Sequence, residues 1–122
     1  MRILADTSVW VEHLRASDET LAALLDENLV VAHPFVIGEL ACGNLRNRNA
    51  LLALLGELPR ATVATHDEAL RLIESHRLMG RGIGYVDVHL LASVALLGDV
   101  RMWTLDRRLA KVASELELAM VR

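Results

Sequence analysis

Four acidic residues stand apart from the other charges of this chain. Asp6 follows Ile3-Leu4-Ala5, Glu39 interrupts Phe35-Val36-Ile37-Gly38 and Leu40-Ala41, Asp87 sits between Val86 and Val88, and Asp106 follows Met102-Trp103-Thr104-Leu105. Each lies in or beside an apolar run, where an unpaired carboxylate is costly or takes up a proton. A fold that gathers all four needs a compensating cation, and an all-oxygen donor set suits a hard one such as Mg²⁺ or Mn²⁺.

The basic residues are unusual in kind. Twelve arginines stand against the single Lys111, in a chain of net charge −3. That total argues against broad electrostatic coating of nucleic acid, so the distribution matters more. Arg46 and Arg48 flank Asn47, Arg77 and Arg81 precede a glycine-rich turn, and Arg107 and Arg108 follow Asp106. Guanidinium forks match phosphate oxygens, so Arg46, Arg48, Arg81 and Arg107 are candidate contacts to a phosphodiester beside the acidic centre. For each of them, an ordinary solvated helix face is the competing explanation.

The elements that must position these residues alternate between strand and helix. Residues 2–5 read as a buried strand, and Asp6-Thr7-Ser8 as a turn capping a helix to about Arg15. Ser17-Asp18-Glu19 opens a second helix, residues 29–32 form a second strand, and Pro34 starts a helix ending near Gly43. A helix over about 47–55 and a third strand at 61–64 follow. Thr65 and Glu68 have capping-box spacing for a helix to about Met79. Beyond Gly80-Arg81-Gly82-Ile83-Gly84, a largely apolar helix runs from about Val86 to Leu97, closed by Gly98. Residues 101–104 read as a strand, 107–114 as a helix and 118–121 as an edge strand. Strands separated by helices imply a three-layer α/β/α sandwich with a central parallel sheet. Asp6 and Asp106 then lie beyond the carboxyl ends of strands, the edge where open α/β sheets bind ligands.

At 122 residues, 53% of them apolar and without linker or repeat, the sequence is expected to form one domain over 1–122. The apolar stretches are too short to span a membrane, and Asp6 comes too early for a signal peptide. The lone Cys42 excludes an intrachain disulfide, fits a reducing cytoplasm, and reads as a core or helix-packing residue.

Four segments together resemble a known family: Asp6-Thr7-Ser8-Val9-Trp10, Gly38 to Arg46, Gly84 to Ser93, and Trp103-Thr104-Leu105-Asp106-Arg107-Arg108-Leu109. In this order and spacing the chain is similar to PIN-domain ribonucleases, specifically VapC-type toxins of toxin–antitoxin pairs. The resemblance implies that Asp6, Glu39, Asp87 and Asp106 bind Mg²⁺ or Mn²⁺ and direct water onto an RNA phosphodiester. It also implies a parallel sheet ordered 3-2-1-4-5, a homodimer, and inhibition by a co-expressed VapB-type antitoxin. Ser8 and Thr104 are candidates for orienting the carboxylates or the metal's waters.

Rival readings fit the residues less well. A receiver-type signalling module needs an adjacent acidic pair after its first strand and a lysine near its last strands, whereas Asp6 is followed by Thr7 and Lys111 falls in a helical segment. A non-enzymatic partner-binding module would not need all four carboxylates. No histidine pair has catalytic spacing, His89 reads as a packing or partner-contact residue, and Trp10 and Trp103 read as core or interface anchors.

Overall fold

The computed structural model of the chain describes residues 1–121. The strand β1 (Arg2–Ala5) leads through Asp6 into α1 (Thr7–Ala16) and α2 (Glu19–Asp26). The short β2 (Val30–Val31) is followed by α3 (Pro34–Cys42), α4 (Arg48–Glu57) and α5 (His66–His76). Then come α6 (Tyr85–Leu97), β3 (Val100–Trp103) and α7 (Arg107–Glu115). All pairings are parallel, in the order β2-β1-β3, with Leu4 opposite both Val31 and Met102. Helices cover both faces, as the α/β/α expectation requires.

The two outer strands are reduced to single parallel bridges, Ala32 with Arg60 and Met102 with Ala119. Their positions preserve the 3-2-1-4-5 sequence across the sheet, but residues 61–64 do not form the expected strand. Ala61 and Ala64 are buried while Thr62 and Val63 between them are exposed, so the segment lacks the two-residue alternation of a half-buried strand. Near the C-terminus, Met102 donates to the Leu118 carbonyl at 2.7 Å and accepts from the Met120 amide at 2.8 Å, so the edge there is a two-bond contact.

Local signals held elsewhere. Thr65 and Glu68 form the reciprocal capping box, Pro34 opens α3, and Gly98 ends α6 at φ +76°. Asp18 caps α2 by accepting from the Leu21 amide at 3.0 Å. Of the three capping candidates Asp6, Thr7 and Ser8, Asp6 is the N-cap, so α1 begins at Thr7. Cys42 is exposed at the end of α3, a correction to its reading as a core residue. Trp10 and Trp103 are buried in the core with Leu4, Leu91 and Leu109.

The helix α6 is buried continuously from Val88 to Val94, as expected of a helix with neighbours on all sides. One of its contacts is polar. His33, fully buried, accepts from the Phe35 amide through Nδ1 at 3.0 Å, so Nε2 carries the proton and donates to Ser93 Oγ at 3.1 Å. Burial, and secondarily the neighbouring His89, lowers the His33 pKa from 6.5 to about 4.

A depressed imidazole contributes stability that is present above its unfolded pKa and lost as pH falls from 6.5 toward 4. Wild-type protein should therefore lose up to roughly 3 kcal/mol over that window through this group. The substitution His33→Asn retains a capping acceptor and should flatten the dependence. Urea midpoints at pH 7 and pH 4.5 test this, and an unchanged pH slope in the variant would exclude His33 as its source.

Candidate active site

The pairing of β1 with β3 brings two strand ends together. The Asp6 amide donates to the Trp103 carbonyl at 3.0 Å, which sets Thr104 beside the Asp6 side chain. Asp6 is buried, 6% exposed, and its carboxylate is held on both oxygens. Oδ1 accepts from Ser8 Oγ and from the Val9 amide at 3.2 Å, while Oδ2 accepts from Thr104 Oγ1. The hydroxyls are themselves fixed: Ser8 accepts from the Leu105 amide and Thr104 from the Asp106 amide, both at 3.0 Å. The two residues singled out as carboxylate-orienting groups thus hydrogen-bond to the carboxylate of Asp6.

Asp106 is exposed and caps α7, with Oδ1 accepting from the Arg108 amide at 2.9 Å and the Leu109 amide at 3.0 Å. Asp87 enters from the first turn of α6, where Oδ2 accepts from the Gly84 amide at 3.1 Å. Its carboxyl is raised above the ordinary value of 3.8, chiefly by burial and further by the negative charges of Asp6 and Asp106, against the opposing Gly84 hydrogen bond. Three of the four acids therefore act on one region of space. Glu39 lies at its rim, exposed on α3, and accepts from Thr7 Oγ1 at 2.8 Å. It breaks an apolar run in the sequence because it occupies the solvent face of a helix whose buried residues are Val36 and Leu40.

The donor set is all carboxylate oxygen and carries unrelieved like charge at Asp87, which fits a hard divalent cation. Among the described residues, no group of three His, Cys, Asp or Glu side chains is already close enough to hold a metal ion. What links them is electrostatic, since the charges of Asp6 and Asp106 act on Asp87.

The arginines divide into two kinds. Arg46 and Arg107 stand exposed. Arg48 instead donates through Nε and Nη2 to the Ala41 carbonyl at 3.0 and 2.8 Å, tying down the end of α3. Arg81 bonds to Glu115 at 2.8 Å. The turn before α6 is also packed against Arg108: a Cβ on Gly82, at φ +81°, would come within 2.6 Å of Arg108 Cδ. Thr7 is a positioning residue that the sequence did not single out, and Arg108, noted there only for its place after Asp106, packs over the turn before α6. Thr7 is adjacent to Asp6, yet nothing local pairs it with a residue 32 positions away.

Comparison with known proteins gives the family. The profile of the PIN domain matches residues 3–115. The chain belongs to the PIN domain family. It is also 51% identical over 118 residues to ribonuclease VapC32 of Mycobacterium tuberculosis, in each of two strains, covering 97% of this chain and 95% of the relative. This PIN chain is therefore of the VapC type rather than a receiver-type module.

A carboxyl with a raised folded-state pKa contributes stability that is present below its unfolded value and lost as pH rises through the folded one. At pH 7 and without metal, ionised Asp87 opposes folding. Asp87→Asn keeps an acceptor for Gly84 and should raise the melting temperature at pH 7. The gain should vanish below pH 3.8. Calorimetry at the two pH values checks both points, and a lower melting temperature at pH 7 would contradict a cost of burying the ionised Asp87 carboxylate beside like charges.

Proposed function

We propose that this chain is a single PIN domain over 1–122 that acts as a metal-dependent endoribonuclease toxin, hydrolysing RNA phosphodiester bonds in the cytoplasm as a homodimer. The observation that carries the reading is the proximity of Asp6 and Asp106 to Asp87, whose charges add to the effect of burial on its carboxyl, in a chain half identical to a ribonuclease. Asp6, Asp87 and Asp106, with Glu39 at the rim, are the residues that would hold Mg²⁺ or Mn²⁺. Such an ion would stabilise charge on the phosphoryl oxygens and lower the pKa of an attacking water.

The protein's own groups prepare that site. Ser8 and Thr104 donate to Asp6, so its lone pairs are oriented. Thr7 restrains Glu39 through Oε1, which limits the rotamers of an otherwise mobile exposed side chain. Helix N-termini at Asp6, Asp87 and Asp106 offset part of the mutual repulsion. Exposed Arg46 and Arg107 are the better candidates for RNA phosphate contacts, because Arg48 and Arg81 already serve the fold.

Purified protein freed of any inhibitor should cleave RNA in Mg²⁺ or Mn²⁺ and stop on addition of EDTA. Undiminished cleavage in chelator would end the metal mechanism. Thr7→Val should raise the Mn²⁺ concentration needed for half-maximal cleavage by about 10- to 100-fold, with Thr7→Ser restoring it. Equal metal dependence in all three proteins would remove Thr7 from the site.

A VapB-type antitoxin is the proposed partner, inhibiting through an arginine or lysine set into the acidic cleft and an apolar segment laid on nearby surface. Val11 and Leu14 of α1, with Leu45, line a groove beside Arg46 that supplies such surface. Replacing the antitoxin's basic anchor by Ala should weaken inhibition, and rising Mg²⁺ or Mn²⁺ at fixed ionic strength should compete with it. Inhibition indifferent to both changes would show that the partner acts without entering the cleft.

A further inference from the structure

The chain has one phenylalanine, one tyrosine and five histidines. Phe35, Tyr85 and three of the histidines form a single connected ridge. His33 contacts Phe35 edge-to-face at 5.0 Å between centroids, Phe35 contacts His89 at 5.0 Å, His89 contacts Tyr85 at 4.6 Å, and Tyr85 contacts His66 at 5.7 Å. The base of the ridge is buried, since His33 and His89 are 0% and 4% exposed. Its crest is not, because Tyr85 is 45% exposed and His66 is exposed beside it. The Tyr85 hydroxyl is hydrogen-bonded to His66 Nδ1, which fixes the orientation of the exposed ring.

The location ties the ridge to the acidic cleft. Phe35 and Glu39 are four residues apart on α3 and so share a helix face, with Cβ atoms about 6 Å apart. Tyr85 and Asp87 both belong to the first turn of α6. The helices α3 and α5 follow parallel strand or bridge positions and so begin at the carboxyl edge of the sheet, the edge at which Asp6 ends β1, and the Tyr85–His66 contact brings the start of α6 to the same edge. Within the ridge, His89 Nδ1 is the only buried side-chain nitrogen or oxygen, among the described residues, without a hydrogen-bond partner. Core packing alone accounts for His33 and His89, but it does not account for a nearly half-exposed tyrosine pinned by a histidine at the sheet edge where Asp6 lies.

We propose that the Tyr85 crest, backed by His66, Phe35 and His89, is a stacking platform for a nucleobase of the RNA strand next to the cleaved bond. This deepens the ribonuclease reading and rests on it. Stacking is tolerant of base identity, so the platform would hold the strand in place while other contacts select the sequence.

The test uses the full chain, a single-stranded RNA oligonucleotide whose cleavage site has been mapped, and copies carrying one abasic ribose at each of the two positions on either side of that site. For wild type, kcat/KM should fall about tenfold or more at one abasic position. Tyr85→Leu should lower kcat/KM on intact RNA by a similar factor, yet match wild type on the abasic copy, because the two losses are one interaction. Tyr85→Trp should restore the dependence on the base, which keeps the test decisive if the leucine variant folds poorly. Tyr85→Leu losing equally on intact and abasic RNA, or losing nothing, would overturn the platform while wild-type cleavage left the ribonuclease reading standing. A wild type that cleaves neither RNA would overturn both. Sedimentation showing that Tyr85→Leu dissociates a dimer, together with equal losses on both RNAs, would assign the ridge to contact between copies and overturn the platform.

Discussion

The architecture of this protein depends on holding negative charges of the same sign close together at one edge of a sheet. No lysine or arginine is paired with any of the four acids in the ion pairs of the described residues. The fold uses helix N-termini and hydroxyls instead. Asp6 and Asp106 are N-caps of α1 and α7, and Asp87 reaches back to the amide that precedes α6. Each carboxylate is thus placed where backbone N–H groups and the helix dipole favour it, typically by a few tenths to about 1 kcal/mol per site. Those contributions do not cancel the whole cost at Asp87, whose carboxyl is raised chiefly by burial and further by the charges of Asp6 and Asp106. A stronger anchor such as a guanidinium would stabilise the apo protein more and would leave less potential for a cation.

That constraint also explains the care given to the segment before α6. Asp87 can approach Asp6 only if the first turn of the helix is fixed, and the helix itself is immobilised by continuous burial from Val88 to Val94. The preceding turn is fastened to α7 by Arg81 with Glu115 and by Arg108 lying over Gly82. Exposed salt bridges contribute little to stability, so the value of these contacts lies in position. Because α7 also carries Asp106 at its start, the same packing couples the two carboxylates as a unit.

Much of this was legible from local sequence. Asp6 and Asp106 sit at strand-to-helix junctions, and the Thr65 and Glu68 box, Pro34 and Gly98 act within a few residues of themselves. What was not legible depends on distance or on partners. Nothing near Thr7 announces Glu39, and nothing near Arg48 announces the Ala41 carbonyl that takes its donors away from RNA. The segment 61–64 has strand-forming residues, but its burial repeats at three rather than two positions, so it forms no strand, and the single bridge falls at Arg60 before it. Cys42 fell at the end of α3, where a helix turning into solvent exposes a residue that its neighbours Ala41 and Gly43 seemed to bury.

The sheet order divides the carboxyl edge into two chemical halves. On one side, the ends of β1 and β3 supply Asp6 and Asp106. On the other, the end of β2 and the outer bridge lead to His33, Phe35 and His66. The helix α6 spans the division, presenting Tyr85 and Asp87 within one turn and contacting His33 farther along through Ser93. An acidic half attracts a cation and repels a polyanion, whereas an aromatic half is indifferent to backbone charge and attracts base faces. A strand laid across both would have its phosphate drawn in only where a metal compensates the carboxylates, while stacking would hold it before and after that moment. Association and chemistry can then be controlled separately by residues two positions apart on a single buried helix.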